Sequence, residues 1–399
     1  MKSSVKKALA LVLALAMIFA LAACGGSGSG GSSAGSGPKH TKIGIALYTD
    51  AGAANAAVKA YLKSLESTLN CEFAYTVLTQ TDEAANVTKI QELIAAGCEG
   101  IICTMDMGMD AILAECKDAN VYLAGYLADY DNSYKNNYDN VFKHPNFLGT
   151  VADGGCADEA ARGYDFFDSV MEYNEAHPDN PVKHCAMTTF PAFAFPYQQV
   201  FVQQFVEKVE EYNAANPDKA IEVDPYDPDI DVLMFQPLDS TWFSKHPGID
   251  TIISMNAGSF VYPTMVSAGV DGTMRLFCSG YNDGDEAVFG SKGPYQQEIV
   301  SAVEAITYPL VLLLNQINGV QFPDQPEFAE RKSVTAFIMN SDEDMEIFKH
   351  SIYLTANAED ALLTPEQVLN LTAFGNPNAT YADLCEILNH MTIEDIANK

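Results

Sequence analysis

The chain has 399 residues, 48% of them hydrophobic, and 53 acidic against 22 basic residues give a formal charge of −31. That length and apolar content suffice for two domains or one large two-lobed one. The acidic excess argues against nucleic acid and anionic lipid surfaces as partners and favours solubility.

At the N-terminus Lys2, Lys6 and Lys7 precede an unbroken apolar run over residues 8–23, the plan of a secretory signal peptide and short for a spanning helix. The run closes on Leu21-Ala22-Ala23-Cys24 and opens into a Gly/Ser tract, residues 25–38. A small-residue site ending on cysteine resembles the lipobox of bacterial lipoproteins. The resemblance implies cleavage before Cys24 and a lipid of the palmitate type on it. A soluble secreted protein with an incidental Cys24, and an uncleaved anchor helix, are the alternatives. Loss of residues 1–23 removes three lysines and no acid, leaving 19 basic and 53 acidic residues and a charge of −34. As a flexible coil the tract has an end-to-end distance of about 20 Å, enough to hold a globule just off a membrane.

Eight further cysteines, at 71, 98, 103, 116, 156, 185, 278 and 385, form an even number in an exported chain, so disulfides are open. Cys103, Cys185 and Cys278 sit inside apolar, strand-like runs, which favours buried thiols. With no CxxC pair and no ligand-like histidine spacing, no metal and no cofactor is expected.

From Lys42 the texture becomes alternating. Strands are predicted at residues 43–48, 73–78, 100–104 and 121–127. A helix between the first two has Ala57, Val58, Tyr61, Leu62, Leu65 and Leu69 on one face; the next starts at Thr81, Asp82 and Glu83, buries Ala84, Val87, Ile90, Leu93 and Ile94, and ends at Gly97. A third helix covers residues 109–118. Such alternation predicts right-handed βαβ units and a parallel sheet. The pattern restarts with strands at 147–151, 184–190, 231–235, 251–255 and 275–279 and helices at 156–173 and 198–212, predicting a second parallel sheet. An apolar helix at 308–317 and a strand-like run at 334–339 follow, and residues 355–399 read as a helical appendage.

Ligands of open parallel sheets bind beyond the carboxyl ends of the strands. The loops there carry Tyr48, Thr49 and Asp50; Met105 and Asp106; Phe193, Phe195, Tyr197 and Gln198; Asn256; and Tyr281, Asn282 and Asp283. They lack a GxSxG elbow, HExxH, Walker loop or GxGxxG, so no enzyme can be argued. Carboxylates and amides bond hydroxyls, and aromatic faces cover a pyranose or a base, which suits a neutral polyol-like ligand.

Three segments then carry a resemblance. His246-Pro247-Gly248-Ile249-Asp250-Thr251-Ile252-Ile253-Ser254-Met255-Asn256 is similar to an HPD-hydrophobic-AN stretch, Ser279-Gly280-Tyr281-Asn282-Asp283 to a GFD turn, and residues 299–309 to an ATIAQ-P segment. In this order they resemble type 1 periplasmic binding proteins, closest to the simple-sugar (ribose/galactose-type) substrate-binding proteins of ABC transporters. The resemblance covers the chain from Lys42 to about Tyr353. It implies an α/β fold of two Rossmann-like lobes with parallel sheets, joined by three crossings near residues 149–153, Glu304 and 334–340. One lobe would hold residues 42–152 and 304–335, the other 153–303 and 336–354. Position by position it implies ligand contacts from Asp106, Asn256, Asn282 and Glu304, with Tyr48 and Asp50 in the first ligand loop. Asp50 and Asp106 have helix capping as their alternative role.

Departures follow too. The family's arginine after Phe190 is missing, with Phe193, Phe195, Tyr197 and Gln198 in its place. Only six residues separate Asp239 from His246, and the lone tryptophan, Trp242, reads equally as stacking platform and as core. The function implied is an extracytoplasmic lipoprotein, a monomer held to the cell membrane through Cys24. It would deliver a small polar ligand, a sugar, to an ABC permease by hinge closure. The alternatives are a nucleoside- or purine-binding protein of the same fold, or a sensor feeding a signalling receptor.

Overall fold

The computed structural model describes residues 38–79, 82–128, 130, 139–153, 162–192, 195 and 197–399. The signal segment, Cys24, the linker up to residue 37, Thr81, Cys156 and Phe193 lie outside them.

The first sheet is built from β1 (Thr41–Leu47), β2 (Cys71–Val77), β3 (Gly100–Cys103), β4 (Tyr122–Tyr126) and β5 (Phe147–Asp153), all parallel, in the order β2-β1-β3-β4-β5. The predicted face of α1 (Ala53–Leu69) is the buried one, from Ala57 to Leu69. α2 (Glu83–Ala95) starts at Asp82, whose side chain accepts the Ala85 N–H at 3.0 Å; the chain leaves it through Gly97, at φ +86°. α3 (Met109–Ala119) closes this run.

The second sheet takes β6 (His184–Thr188), β7 (Glu222–Val223), β8 (Thr251–Ser254), β9 (Arg275–Ser279) and β10 (Tyr295–Ser301) in the matching order β7-β6-β8-β9-β10. α4 (Arg162–Ala176) and α5 (Gln198–Ala215) pack against each other on it, and α6 (Tyr262–Ala268) follows β8. α7 (Thr307–Ile317) then returns to pack on β3, β4 and β5 of the first sheet. Each sheet gains a sixth strand from one short segment: β11 (Arg331–Val334) lies parallel to β5, and β12 (Ala336–Met339) lies antiparallel to β10. Helices α8 (Asp342–Phe348), α9 (Pro365–Asn370), α10 (Tyr381–Glu386) and α11 (Ile393–Ala397) complete the chain.

Four expectations are corrected. Residues 147–151 do not open a second sheet: β5 pairs with β4, so the chain leaves the first sheet after Asp153. The expected strand at 231–235 is a single bridge, Val232 to Thr189, because the backbone turns at Phe235 with φ +56°; the edge strand is β7 instead. The run at 334–339 is two strands divided at Thr335, one in each sheet. The second sheet is mixed, since β12 runs against its neighbour.

All seven described cysteines are free, and all but Cys385 are buried. Burial pushes the thiols of Cys98 and Cys103 up to about 11, and those of Cys71 and Cys116 up to about 12. Thiolate, the reactive form, is therefore scarce at neutral pH. We expect Cys71, Cys98, Cys103, Cys116, Cys185 and Cys278 to resist a thiol reagent such as Ellman's reagent in the native protein and to titrate only in denaturant. At Gly125, inside β4, a Cβ would meet the Thr150 side chain and the Tyr130 ring. Gly125→Ala should cost roughly 1–3 kcal/mol in denaturant unfolding, the usual range for overpacking a core.

Candidate functional site

Both sheets reverse their strand order at one place, between β1 and β3 in the first and between β6 and β8 in the second. The crevice in which such folds bind ligands opens beyond the carboxyl ends of those strands. From β1 it receives Tyr48, half-exposed, and from β3 Asp106, half-buried; from β8 it receives Asn256. Asn256 is 2% exposed, and neither its amide nitrogen nor its carbonyl oxygen has a hydrogen-bond partner among the described residues. An unpaired buried amide costs about 1–3 kcal/mol.

Where β5 and β10 end, the lobes touch through polar groups. Ser301 Oγ donates to Asp153 Oδ1 at 3.0 Å, and the same carboxylate accepts from the guanidinium of Arg162 at the start of α4. Arg162 is buried, with Asp165 as a second acidic neighbour at 3.6 Å. It supplies an arginine on the second lobe from α4, where the sequence reading missed it by looking for one after Phe190. Tyr126, at the end of β4, reaches Val303 O at 3.4 Å. Burial holds its phenol far above the ordinary range, and Glu304, Tyr353, Tyr48 and Asp153 add to the shift. Tyr353 is raised by burial, with Tyr48, Glu298, Asp283 and Asp285 contributing. Phenols and carboxyls from both lobes thus share one acidic, tyrosine-rich region, to which Tyr281 belongs through its edge contacts with Tyr353 and Phe348 at 6.2 and 5.6 Å.

The second lobe adds an aromatic wall. Phe190, just past β6, packs on Phe195 at 5.2 Å, Phe235 at 5.1 Å and Phe260 at 4.9 Å, all half-buried, and Phe195 packs on Tyr197 at 5.9 Å. Phe235 and Phe260 were not expected; their approach depends on the turn at Phe235 and on the short helix after β8, neither visible as a motif. Gln198 sets the wall's base: its Oε1 accepts the Phe190 N–H at 2.6 Å and its Nε2 donates to Met255 O at 2.9 Å.

Other expected residues are placed differently. Asp50 is exposed and paired with Lys59 of α1. Asn282 donates its backbone N–H and its amide to Asp285 Oδ2, at 2.9 and 3.2 Å, and so stays in its own turn. Trp242 is 2% exposed, its indole N–H bonded to Asp231 at 2.8 Å and its ring against His246 at 4.3 Å. With both commitments it is core, and the stacking role is withdrawn. Glu304 is 1% exposed; one carboxylate oxygen accepts the Leu362 N–H at 2.9 Å and the other has no partner among the described residues. Its carboxyl serves the crossing between β10 and α7.

Among the described residues, one group, His184, Glu222 and Asp224, has metal-ligand types within 4.8 Å. It lies at the start of β6, away from the strands' carboxyl ends, and hydrogen bonds account for it: Asp224 accepts from His184 at 2.7 Å and from His246 at 2.7 Å.

Beside Asp285, Glu298 is wholly buried in β10 with neither oxygen hydrogen-bonded among the described residues. Burial first, and then the Asp285 charge, push its carboxyl well above 4.5. A raised acid stabilises the folded state fully below the unfolded value and loses that contribution as pH rises through the folded one. Stability should therefore decline upward from about pH 4.5, and Glu298→Gln should flatten the decline of melting temperature measured between about pH 5 and 8.

No family profile and no curated protein matches the chain. Solved structures do. An ABC transporter solute-binding protein from Burkholderia graminis, in complex with D-arabinose, is 14% identical over 78% of this chain and 98% of its own, with a TM-score of 0.51. One from Agrobacterium vitis bound with α-D-tagatopyranose is 11% identical, covering 76% and 96%, TM-score 0.54. A 5-methylthioribose transporter solute-binding protein from Thermotoga lettingae, in complex with 5-methylthioribose, is 11% identical, covering 86% and 98%, TM-score 0.53. The chain has the two-lobed α/β fold of type 1 periplasmic binding proteins, the fold of these ABC transporter sugar-binding proteins.

Proposed function

We propose that the chain is the extracytoplasmic solute-binding component of an ABC importer, and that it takes a small sugar between its lobes. The observation that carries the proposal is Asn256, whose buried amide has no hydrogen-bond partner among the described residues and lies at the strand-order reversal of a fold whose solved neighbours hold sugars. Around it the crevice offers Asp106, Asp153, Arg162 and Ser301 to hydroxyls. The Phe190 wall and Tyr48 offer apolar faces to a ring, each aromatic contact worth about 0.5–1.5 kcal/mol. The mechanism is hinge closure: a ligand bridging both lobes stabilises the closed state by its differential affinity for it. A micromolar affinity corresponds to about −8 kcal/mol. The protein binds and hands over its ligand without turning it over.

The lipobox-like Leu21-Ala22-Ala23-Cys24 supports a lipid tether on Cys24, with the permease as the membrane partner. Among the described residues no helix is long and apolar enough to cross a membrane. The size of the aromatic wall supports, as second reading, a ligand with a base or another apolar arm attached to its sugar.

Thermal-shift assays of residues 38–399 against pentoses, hexoses, 5-methylthioribose and nucleosides test the assignment. Monosaccharides should raise the melting temperature. If nucleosides alone do so the second reading replaces the first, and if no class does the transport reading fails. Asn256→Ala should leave the free protein as stable as before or more so, since it deletes an unpaired amide, while lowering sugar affinity about tenfold, the loss of roughly one hydrogen bond. A residue needed only for packing would lower both. Cys24→Ala should release the protein from the membrane fraction; unchanged association would rule out the lipid.

A further inference from the structure

Residues 356–399 are not an appendage, since they run from the first lobe, along the hinge, to the second. The single-turn helix Ile352–Thr355 and α9 pack on α1. Leu362 N–H binds Glu304 in the second crossing, and Ala373 N–H binds Asn315 of α7 at 2.9 Å. Asp324, just after α7, accepts the N–H groups of Tyr381 and Ala382 at 2.6 and 3.1 Å, and the Tyr381 hydroxyl meets Tyr308 at 2.7 Å and Glu330 at 3.1 Å. The tail then grips the third crossing. Leu388 O accepts both the N–H and the hydroxyl of Thr335, at 3.0 and 2.9 Å, and Thr335 Oγ1 accepts the Met391 N–H at 3.2 Å. Beyond this point α11 lies on α8 and β12 of the second lobe, burying Met391, Ile393 and Ile396 in the same apolar cluster as Met345 and Phe337.

The two attachments are unequal. The first lobe holds the tail through four helices or turns and a chain of hydrogen bonds; the second holds it through α11, five residues long. A helix of that length has no stability of its own and exists through its packing. Its anchor is Thr335, the single residue between β11 of the first sheet and β12 of the second. Rotation of the second lobe therefore leaves most of the tail where it is and must slide or undock α11.

We propose that residues 388–397 form a latch across the hinge, which limits how far the lobes open and holds the ligand-free protein near the closure seen here. The latch rests on the hinge-closure reading, but its test needs no ligand, so its failure is distinct from a failure to bind sugar. The test is small-angle X-ray scattering of ligand-free residues 38–399 with Ile393→Asp and Ile396→Asp together. The radius of gyration should rise above that of the unaltered chain, while far-UV circular dichroism and the main unfolding transition are kept. Hydrogen exchange at residues 392–397 and at Thr335 should accelerate together. Thr335→Val, which removes the two hydrogen bonds of the hydroxyl and keeps the backbone bond to Leu388 O, should give a smaller rise in the same direction and serves alone if the double variant does not fold. Scattering profiles that superimpose on the unaltered chain for whichever variant folds would overturn the latch and leave α11 a packed terminus.

Discussion

Val334 belongs to one sheet and Ala336 to the other, with Thr335 alone between them. That constraint fixes much else. The two sheets cannot separate at this point by more than one residue's reach, so relative motion has to be rotation. The other crossings, at Asp153 and between Ser301 and Thr307, must lie close enough to turn about the same place. The Ser301–Asp153 hydrogen bond shows that at least these two do meet.

The protein also buries groups that are costly to bury. Glu304 and Glu298 are carboxyls held out of water, Tyr126 and Tyr353 are buried phenols, and Asn256 has a buried amide with no hydrogen-bond partner among the described residues. Arg162 is a buried cation, bonded to Asp153. A protein with so large an acidic excess meets an anionic ligand poorly in such a place, whereas a neutral polyol can donate to the carboxylates and accept from the arginine and amide.

Much of this was legible in the sequence. The 3.6-residue periodicity of α1 and the alternation of apolar runs gave both sheets, because burial on one face leaves a local signature. The loops at Tyr48, Asp106 and Asn256 followed from the strands. What stayed hidden was set by distant partners. Asp50 and Asn282 are claimed by Lys59 and Asp285, Trp242 by Asp231, and Glu304 by Leu362, in each case through a side-chain bond that no spacing announces. Strand pairing was equally non-local: β5 looks like the start of a repeat until β11, from far along the chain, is seen to pair with it. Phe235 and Phe260 join the aromatic wall only through the backbone turn between strands.

The covering of α1 by residues from Ile352 onward also bears on how the molecule is made. The first lobe begins at β1 yet lacks its edge strand, the helix α7 and the cover over α1 until nearly the whole polypeptide has been synthesised. Contacts of such sequence separation are slow to form, since loop closure has to precede any gain from them. A chain of this design cannot complete its first lobe until the residues from Ile352 onward are in place.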